Sequence, residues 1–128
     1  MIINLTQHPA TADQLAAGVA DLPADQRAIL AKALTFESLP TRGEIVAAAG
    51  IIAGLAASAG PAPHILPDAA MIGGAMWLMA PLAAAVEARG IEALFAFSQR
   101  ESVDELQADG SVRKTAIFRH VGFVPAGV

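Results

Sequence analysis

The chain has 128 residues, no cysteine and a formal net charge of -4 at pH 7. This length favours one domain, residues 1–128, around a single hydrophobic core. The negative charge argues against a broad basic surface for long nucleic acid, and the absence of cysteine excludes disulfides, thiolate catalysis and cysteine metal sites.

An uncharged stretch from Ala69 to Val86 is just long enough for a membrane span to be considered. Gly73, Gly74 and Pro81 interrupt it, and no basic flank marks a cytoplasmic side. No membrane partner is therefore expected. The amino terminus also lacks the basic residues and apolar core of a secretory signal, which indicates a cytoplasmic protein.

The first residues predict a strand, a loop and a short helix. Residues 1–5 are an apolar run, and Thr6–Ala10 has the composition of the loop that follows. Thr11–Gln14 has the spacing of a capping box, which predicts a helix over residues 14–17 that Gly18 ends. This is a first strand-loop-helix unit.

A second strand and a second helix follow. Residues 19–23 predict a short strand that Pro23 confines to an edge or an end of the sheet. Residues 25–34 have a helical composition, and Ile29 and Leu30 are expected to face the core.

The middle of the chain predicts a helix, a strand and a tight turn. Thr41–Glu44 repeats the capping-box spacing, and an apolar stripe continues to residue 59. Residues 69–72 read as a strand covered on both faces, and Gly73 and Gly74 then permit close backbone approach. Outward amides at a helix entrance suit a phosphate, although a glycine pair also serves tight packing alone.

A helix is expected directly after the glycines. Pro81 suits its first turn, Gly90 is its stop, and Trp77 and Met79 are expected in the core. Its apolar residues recur at four-residue spacing: Leu78, Leu82 and Val86.

The last third of the chain predicts a further parallel strand and a hairpin. Residues 91–97 form an apolar strand that leads into a loop at Ser98–Ser102. Residues 103–107 and 112–124 flank Asp109–Gly110, a strong hairpin signal. The predicted fold class is α/β, a Rossmann-like, mainly parallel sheet flanked by helices, with a C-terminal antiparallel β-hairpin.

Three predicted loops follow parallel strands, where ligands collect in open α/β sheets. They carry Thr6–His8, Gly73–Gly74 and Ser98–Arg100, which together offer an imidazole, a guanidinium, amide and hydroxyl donors and backbone nests. This set suits a phosphate. No carboxylate cluster accompanies it, and the scattered histidines show no zinc spacing, so no metal is expected.

Each candidate also has a structural explanation. His8 before Pro9 would then only cap the first helix, and Arg100 would only pair with Glu101 at the surface. Arg119 and His120 are consecutive in a predicted strand, so only one of them can face a given site.

The Leu5–Thr11 loop and the Gly73–Gly74 turn resemble those of the small CARF-like proteins of type III CRISPR systems, some of which are ring nucleases. The resemblance implies a Rossmann-type homodimer that binds cyclic oligoadenylate, with cyclic tetra-adenylate as the expected ring, and cleaves it without metal or cofactor. The ligand's own 2′-hydroxyl would be the nucleophile. The Asp109–Gly110 hairpin and Arg119–His120 depart from this pattern.

The resemblance and the predicted loops together assign residues to the site. The catalytic candidates are His8 and Arg100, with His120 as the next one. The ligand contacts would be Asn4, Thr6, Gln7, Gly73, Gly74, Ser98, Gln99 and Arg119. Two other functions are consistent with the same sequence: a non-catalytic nucleotide-sensing or assembly module, and a small enzyme acting on a nucleotide phosphate.

Overall fold

The backbone alternates strands and helices before it ends in a long hairpin. The computed structural model describes residues 1–127, and Val128, the last residue of the predicted domain, lies outside the described residues. In chain order the elements are β1 (Ile2–Asn4), α1 (Ala12–Ala16), β2 (Val19–Asp21), α2 (Ala24–Leu34), α3 (Arg42–Ala57), β3 (Ala69–Met71), α4 (Met76–Glu87), β4 (Glu92–Leu106) and β5 (Val112–Pro125).

The strands form a five-stranded sheet in the order β2-β1-β3-β4-β5. β1 pairs in parallel with β2 and β3, β3 pairs in parallel with β4, and β5 runs antiparallel to β4. This confirms the predicted α/β class, the mainly parallel sheet and the C-terminal hairpin. The predicted edge position of the second strand is also confirmed, because β2 pairs with β1 alone.

The two faces of the sheet are covered differently. From β1 the chain crosses to β2 in one direction along the sheet, and from β2 it crosses past β1 to β3, and then to β4, in the opposite direction. Because crossovers between parallel strands are right-handed, α1 lies on one face of the sheet and α2, α3 and α4 lie on the opposite face. The main core lies on the three-helix face, where Ile3, Ala70 and Ala93 are in register on neighbouring strands. Their neighbours Asn4, Met71 and Leu94 point to the α1 face.

The core confirms the predicted helical stripe. Leu78, Leu82 and Val86 of α4 are fully buried, as is Ile52 of α3. Alanines fill the helix contacts between them, which allows close packing of α3 on α4. Among residues 1–127, no helix combines the length and the apolar character needed to cross a membrane.

Both predicted capping boxes are confirmed. Thr11 accepts from the amide of Gln14, whose side chain returns to the Thr11 amide, and Thr41 and Glu44 make the same exchange. Because Thr11 caps α1, His8 does not, and that structural explanation of His8 is excluded.

Two side chains expected in the core are exposed instead. Ile29 is 50% exposed and Trp77 is 53% exposed, whereas Leu30, Leu34 and Leu78 are buried. Each exposed residue immediately precedes a buried one, and consecutive residues of a helix differ by about 100° in direction. When Leu30 and Leu78 face the core, the residue before each of them therefore points toward solvent.

The prediction that Pro81 lies in a first helical turn is wrong. α4 begins at Met76, so Pro81 is inside the helix and cannot donate to the carbonyl of Trp77 four residues earlier. The predicted stop is confirmed, since Gly90 has a φ of +81° in the turn that ends the helix after Glu87.

The predicted loop at Ser98–Ser102 is also wrong. β4 runs without a break from Glu92 to Leu106 because β5 pairs with it from Leu94 to Leu106. Only the first few residues of β4 belong to the sheet of parallel strands. Residues 98–120 therefore form a projecting hairpin, called here the arm.

A register shift and a tight turn shape the arm. The pairing shifts between Phe97 and Ser98, which leaves Val121 as the extra residue of a bulge. At the tip the Asp109 carboxylate accepts from the hydroxyl and amide of Ser111, and these hydrogen bonds hold the pKa of Asp109 below its usual value. Gly110 takes the positive φ that the turn requires.

Candidate functional site

A buried amide organises the loop after β1. Asn4 is 3% exposed, and among residues 1–127 no other polar or charged residue is buried to this extent. Its Nδ2 donates to the His8 carbonyl and to Asp21 Oδ1, each at 2.8 Å. Its Oδ1 accepts from the Thr6 amide at 2.9 Å and the Thr6 hydroxyl at 2.7 Å. Asp21 in turn accepts from the Ala10 amide at 3.0 Å.

This network changes the role of Asn4. Both amide hydrogens and the carbonyl oxygen of Asn4 are occupied inside the protein, so the predicted direct contact with a ligand does not fit its position. Instead Asn4 turns the His8 carbonyl inward and leaves the His8 side chain exposed. Asn4 is a positioning residue.

The loops after β1 and β3 lie side by side at the carboxyl edge of the sheet. A Cβ atom placed on Gly73 would lie 3.3 Å from Thr6 Cγ2, so the two loops are already in contact. Gln7 and His8 are exposed next to this contact. We call Thr6, Gln7, His8, Gly73 and Gly74 the loop cluster.

The two glycines differ in what a side chain would meet, which makes them a matched pair for mutation. Gly74 has a φ of +143°, whereas a side chain on it would meet only ordinary contacts. Gly74→Ala is therefore expected to destabilise the fold by about 1–2 kcal/mol whether or not the turn binds anions.

Gly73→Ala is the informative variant, because no positive φ is required there and the new methyl group presses on Thr6. We expect a small change in melting temperature and at least a severalfold weaker binding of an anionic nucleotide. Thermal unfolding and calorimetric titration measure the two effects. Parental affinity in the Gly73→Ala protein would remove the turn from the site.

A second group of predicted residues lies on the arm. Ser98 pairs directly with His120, and Arg100 pairs with Phe118 one step further along the same face. We call Ser98, Arg100, Phe118 and His120 the arm cluster. Three of its members, without Arg100, line a concavity of about 270 Å³ against residues 11–14 at the start of α1.

His120 is the least satisfied group of the arm cluster. Its Nδ1 is buried without a hydrogen-bond partner among residues 1–127, and its ring packs on Phe123 at 4.8 Å between centroids. A buried polar atom without a partner is uncommon in folded proteins. The position therefore suits a group that donates to or accepts from the imidazole.

Gln99 and Arg119 lie on the opposite face of the arm. They pair with each other across the strands, and Arg119 forms an ion pair with Glu101 at 3.2 Å. The predicted alternation of Arg119 and His120 is thus observed, and the surface partner of Glu101 is Arg119 rather than Arg100. Neither Gln99 nor Arg119 shares a face with the arm cluster.

The structure therefore divides the predicted site residues among three places. It brings Thr6, Gln7 and His8 to Gly73 and Gly74 above the buried Asn4, and it brings Ser98 and Arg100 to His120 on the arm. The third place is the opposite face of the arm, which carries Gln99 and Arg119. Arg100 lies six residues beyond Leu94, which is level with Asn4 in the sheet, a distance of about 20 Å along an extended strand. This distance separates Arg100 from the loop cluster of the same chain.

Sequence analysis did not identify Asp21 and Arg27. Asp21 is level with Asn4 on the neighbouring strand, a relation that depends on strand register. Arg27 lines a concavity of about 300 Å³ together with Thr6 and Gln7, because α2 begins only two residues after β2 ends. The sequence signal for Arg27 was its outward position on a helix that starts at the carboxyl edge.

Comparison with known proteins gives one assignment. No curated protein and no solved structure matches the chain. Within residues 1–127, no group of three or more histidine, aspartate or glutamate side chains is arranged to hold a metal ion. The family model described as "Uncharacterized protein MJ1673 family" matches residues 1–124, and the chain therefore belongs to this family.

Proposed function

We propose that this protein binds a cyclic oligoadenylate and cleaves it, as a metal-independent ring nuclease of type III CRISPR antiviral signalling in the cytoplasm. The supporting observation is the contact of Thr6 with Gly73, which joins two strand-end loops at the carboxyl edge beside the exposed His8. That edge is where Rossmann-like folds bind nucleotides. Cyclic tetra-adenylate is the first ligand to test.

The composition of the loop cluster favours a phosphate over a cation. Its donors include the Gln7 side-chain amide and the His8 imidazole, whereas the Thr6 hydroxyl and backbone amide already donate to Asn4 Oδ1, and the cluster contains no carboxylate. Arg27 adds a guanidinium at the neighbouring concavity, and guanidinium groups bind phosphate with charge-assisted hydrogen bonds. The carboxylate of Asp21, which is level with Asn4 on the neighbouring strand, is engaged by Asn4 and the Ala10 amide.

The proposed reaction is an internal transfer of the phosphoryl group. The 2′-oxygen of one ribose attacks the adjacent phosphorus, and the bond from phosphorus to the 5′-oxygen breaks. The 2′-hydroxyl proton goes to a base, and the departing 5′-oxygen receives a proton. The product is linear, with a 2′,3′-cyclic phosphate and a 5′-hydroxyl, and no water is consumed.

His8 is the proposed group for proton transfer, because a histidine is protonated and deprotonated readily near neutral pH. Arg100 would stabilise charge on the phosphate in the transition state. Because Arg100 is on the arm, it would reach the loop cluster only by bending of the arm or from a second copy of the chain.

A homodimer formed through the arm supplies such a second copy. Ile117 and Phe118 are exposed on the arm and Phe97 is exposed just before it, and Phe118 is 74% exposed. β5 is an edge strand whose outer side has no strand partner among residues 1–127. Exposed edges with large apolar side chains tend to associate, and two-fold pairing is the commonest assembly.

If the dimer forms through the arm, a charge placed on the arm should dissociate it. We expect light scattering to give twice the mass of one chain at micromolar concentration, and Phe118→Asp to give a single chain. Ile51→Asp is the matched control, because Ile51 is 51% exposed on α3 and lies on the three-helix face. A dimer that survives Phe118→Asp but dissociates with Ile51→Asp would contradict the proposal.

A binding-only module is the second candidate. The observation that favours it is the separation of Arg100 from His8, because a sensor needs a ligand contact but no assembled catalytic pair. In that case the ligand would bind to the loop cluster and remain intact.

One experiment separates these functions. Purified protein is incubated with cyclic tetra-adenylate in excess chelator, and the products are identified by mass. A linear product with a 2′,3′-cyclic phosphate supports the ring nuclease, whereas binding without turnover supports the sensor. If the protein hydrolyses the phosphates of mononucleotides but leaves cyclic tetra-adenylate uncut, a small nucleotide-phosphate enzyme is favoured instead.

A further inference from the structure

An apolar cavity lies on the three-helix face, where the end of α2, the start of α3 and the start of α4 meet. It measures about 410 Å³ and is lined by Phe36, Ser38, Leu39, Pro40, Ile45 and Trp77. Ser38 supplies the single hydroxyl group of this lining. We call it the Trp77 cavity.

The aromatic side chains of this cavity are fixed but accessible. The rings of Phe36 and Trp77 pack edge to face, with centroids 6.1 Å apart and planes at 69°. Even so, Trp77 is 53% exposed and Leu39 is 94% exposed. An exposed aromatic ring that its neighbour holds in place is a preformed surface for stacking.

The Trp77 cavity is linked to the loop cluster by adjoining concavities that share lining residues. It shares Phe36 and Ser38 with a concavity of about 470 Å³ that Lys32 also lines. That concavity shares Ala31 with the one lined by Thr6, Gln7 and Arg27. A depression therefore follows α2 from the loop cluster to Trp77.

The charges along this depression suit a nucleotide in one orientation. Arg27 is at the loop-cluster end and Lys32 is in the middle, together with Glu37 and Glu44, while the Trp77 end carries no charge. Phosphates would bind near Arg27 and the loop cluster. The apolar end would then receive the least polar part of the ligand.

We infer that the Trp77 cavity binds a planar base of the nucleotide ligand, with the base stacked against Trp77. This inference rests on the proposed function, because the link to the loop cluster matters only if phosphates bind there. Aromatic stacking of a base is sequence-tolerant, and Ser38 could add a hydrogen bond to a base edge. Loss of such stacking weakens binding by about tenfold or more.

The chain offers a direct probe of this cavity. Trp77 is the single tryptophan and the chain has no tyrosine, so tryptophan emission reports on this position alone. The protein is titrated with cyclic tetra-adenylate, with adenosine and with ribose 5-phosphate, which lacks a base. We expect the first two ligands to change the emission and the third to leave it unchanged.

Leu39→Asp is the test variant, because Leu39 is too exposed for its replacement to disturb the core. It should weaken the calorimetric affinity for cyclic tetra-adenylate by about tenfold. Leu106→Asp is the matched control, since Leu106 is 75% exposed near the tip of the arm. It should bind as the parent protein does.

The outcomes distinguish this inference from the proposed function. If cyclic tetra-adenylate binds but neither the Trp77 emission nor the Leu39→Asp affinity changes, the base lies elsewhere and the inference is overturned while the proposed function stands. If calorimetry detects no binding to the parent protein, both fail. If the emission changes with protein concentration alone, a second copy covers the cavity, and the inference is again overturned.

Discussion

His8→Asn is expected to slow single-turnover cleavage of cyclic tetra-adenylate by about a hundredfold or more, with a much smaller effect on affinity. Asparagine retains hydrogen bonding but cannot transfer a proton at neutral pH. The loop itself should persist, because Asn4 holds the His8 carbonyl and not the imidazole. Rapid-quench measurement of the linear product, with binding measured separately, tests this.

The other histidines provide the controls. His64 lies in the connection before β3, at the opposite edge of the sheet, and its φ of +64° is one that asparagine adopts readily. His64→Asn should therefore cleave at the parental rate. If His8→Asn also cleaves at that rate while His120→Asn does not, the proton-transfer role belongs to the arm cluster.

Asn4→Asp is expected to cause the largest loss of stability, about 3 kcal/mol at neutral pH, or on the order of 10 °C in melting temperature. The substitution keeps the shape of the side chain but removes both donated hydrogen bonds. It also places a carboxylate against Asp21, which now receives the Asn4 amide at 2.8 Å. Thermal and urea unfolding measure the loss.

Two further measurements identify the cause of this loss. The loss should shrink as the pH is lowered toward about 4, because protonation of one carboxyl of the pair removes the repulsion in the folded state. The double variant Asn4→Asp/Asp21→Asn should recover part of the stability, since a donor and an acceptor again face each other. A loss that is independent of pH and unrelieved in the double variant would show that packing, not charge, is responsible.

The fold was predictable because its parallel strands and amphipathic helices have local signals. The buried stripe at Leu78, Leu82 and Val86, and the capping boxes at Thr11 and Thr41, are visible in single segments. The arm has such a signal only at its tip, where Asp109–Gly110 predicts the turn. Ser98–Ser102 is polar enough to resemble a loop, and only its pairing with the strand that follows the turn makes it part of β4.

The site was predictable only in part, for the same reason. The residues of the loop cluster follow strands directly, so the rule that parallel strands end at one edge was sufficient to place them. Asn4 was taken for a ligand contact because its bonds to Asp21 depend on the register of β1 with β2. Arg100 was placed beside His8 because a strand was expected to end where it continues.

The bulge at Val121 divides the β4–β5 hairpin into two parts of different local stability, and the arm is the outer part. Below the bulge at Val121, β4 and β5 are anchored to β3 and to the core, and above it the ladder is supported mainly by its own pairing and by α1. A segment held in this way can open without unfolding the rest of the chain. Anything that binds the closed arm therefore stabilises it by mass action, so order in the arm and occupancy of its surface are thermodynamically linked.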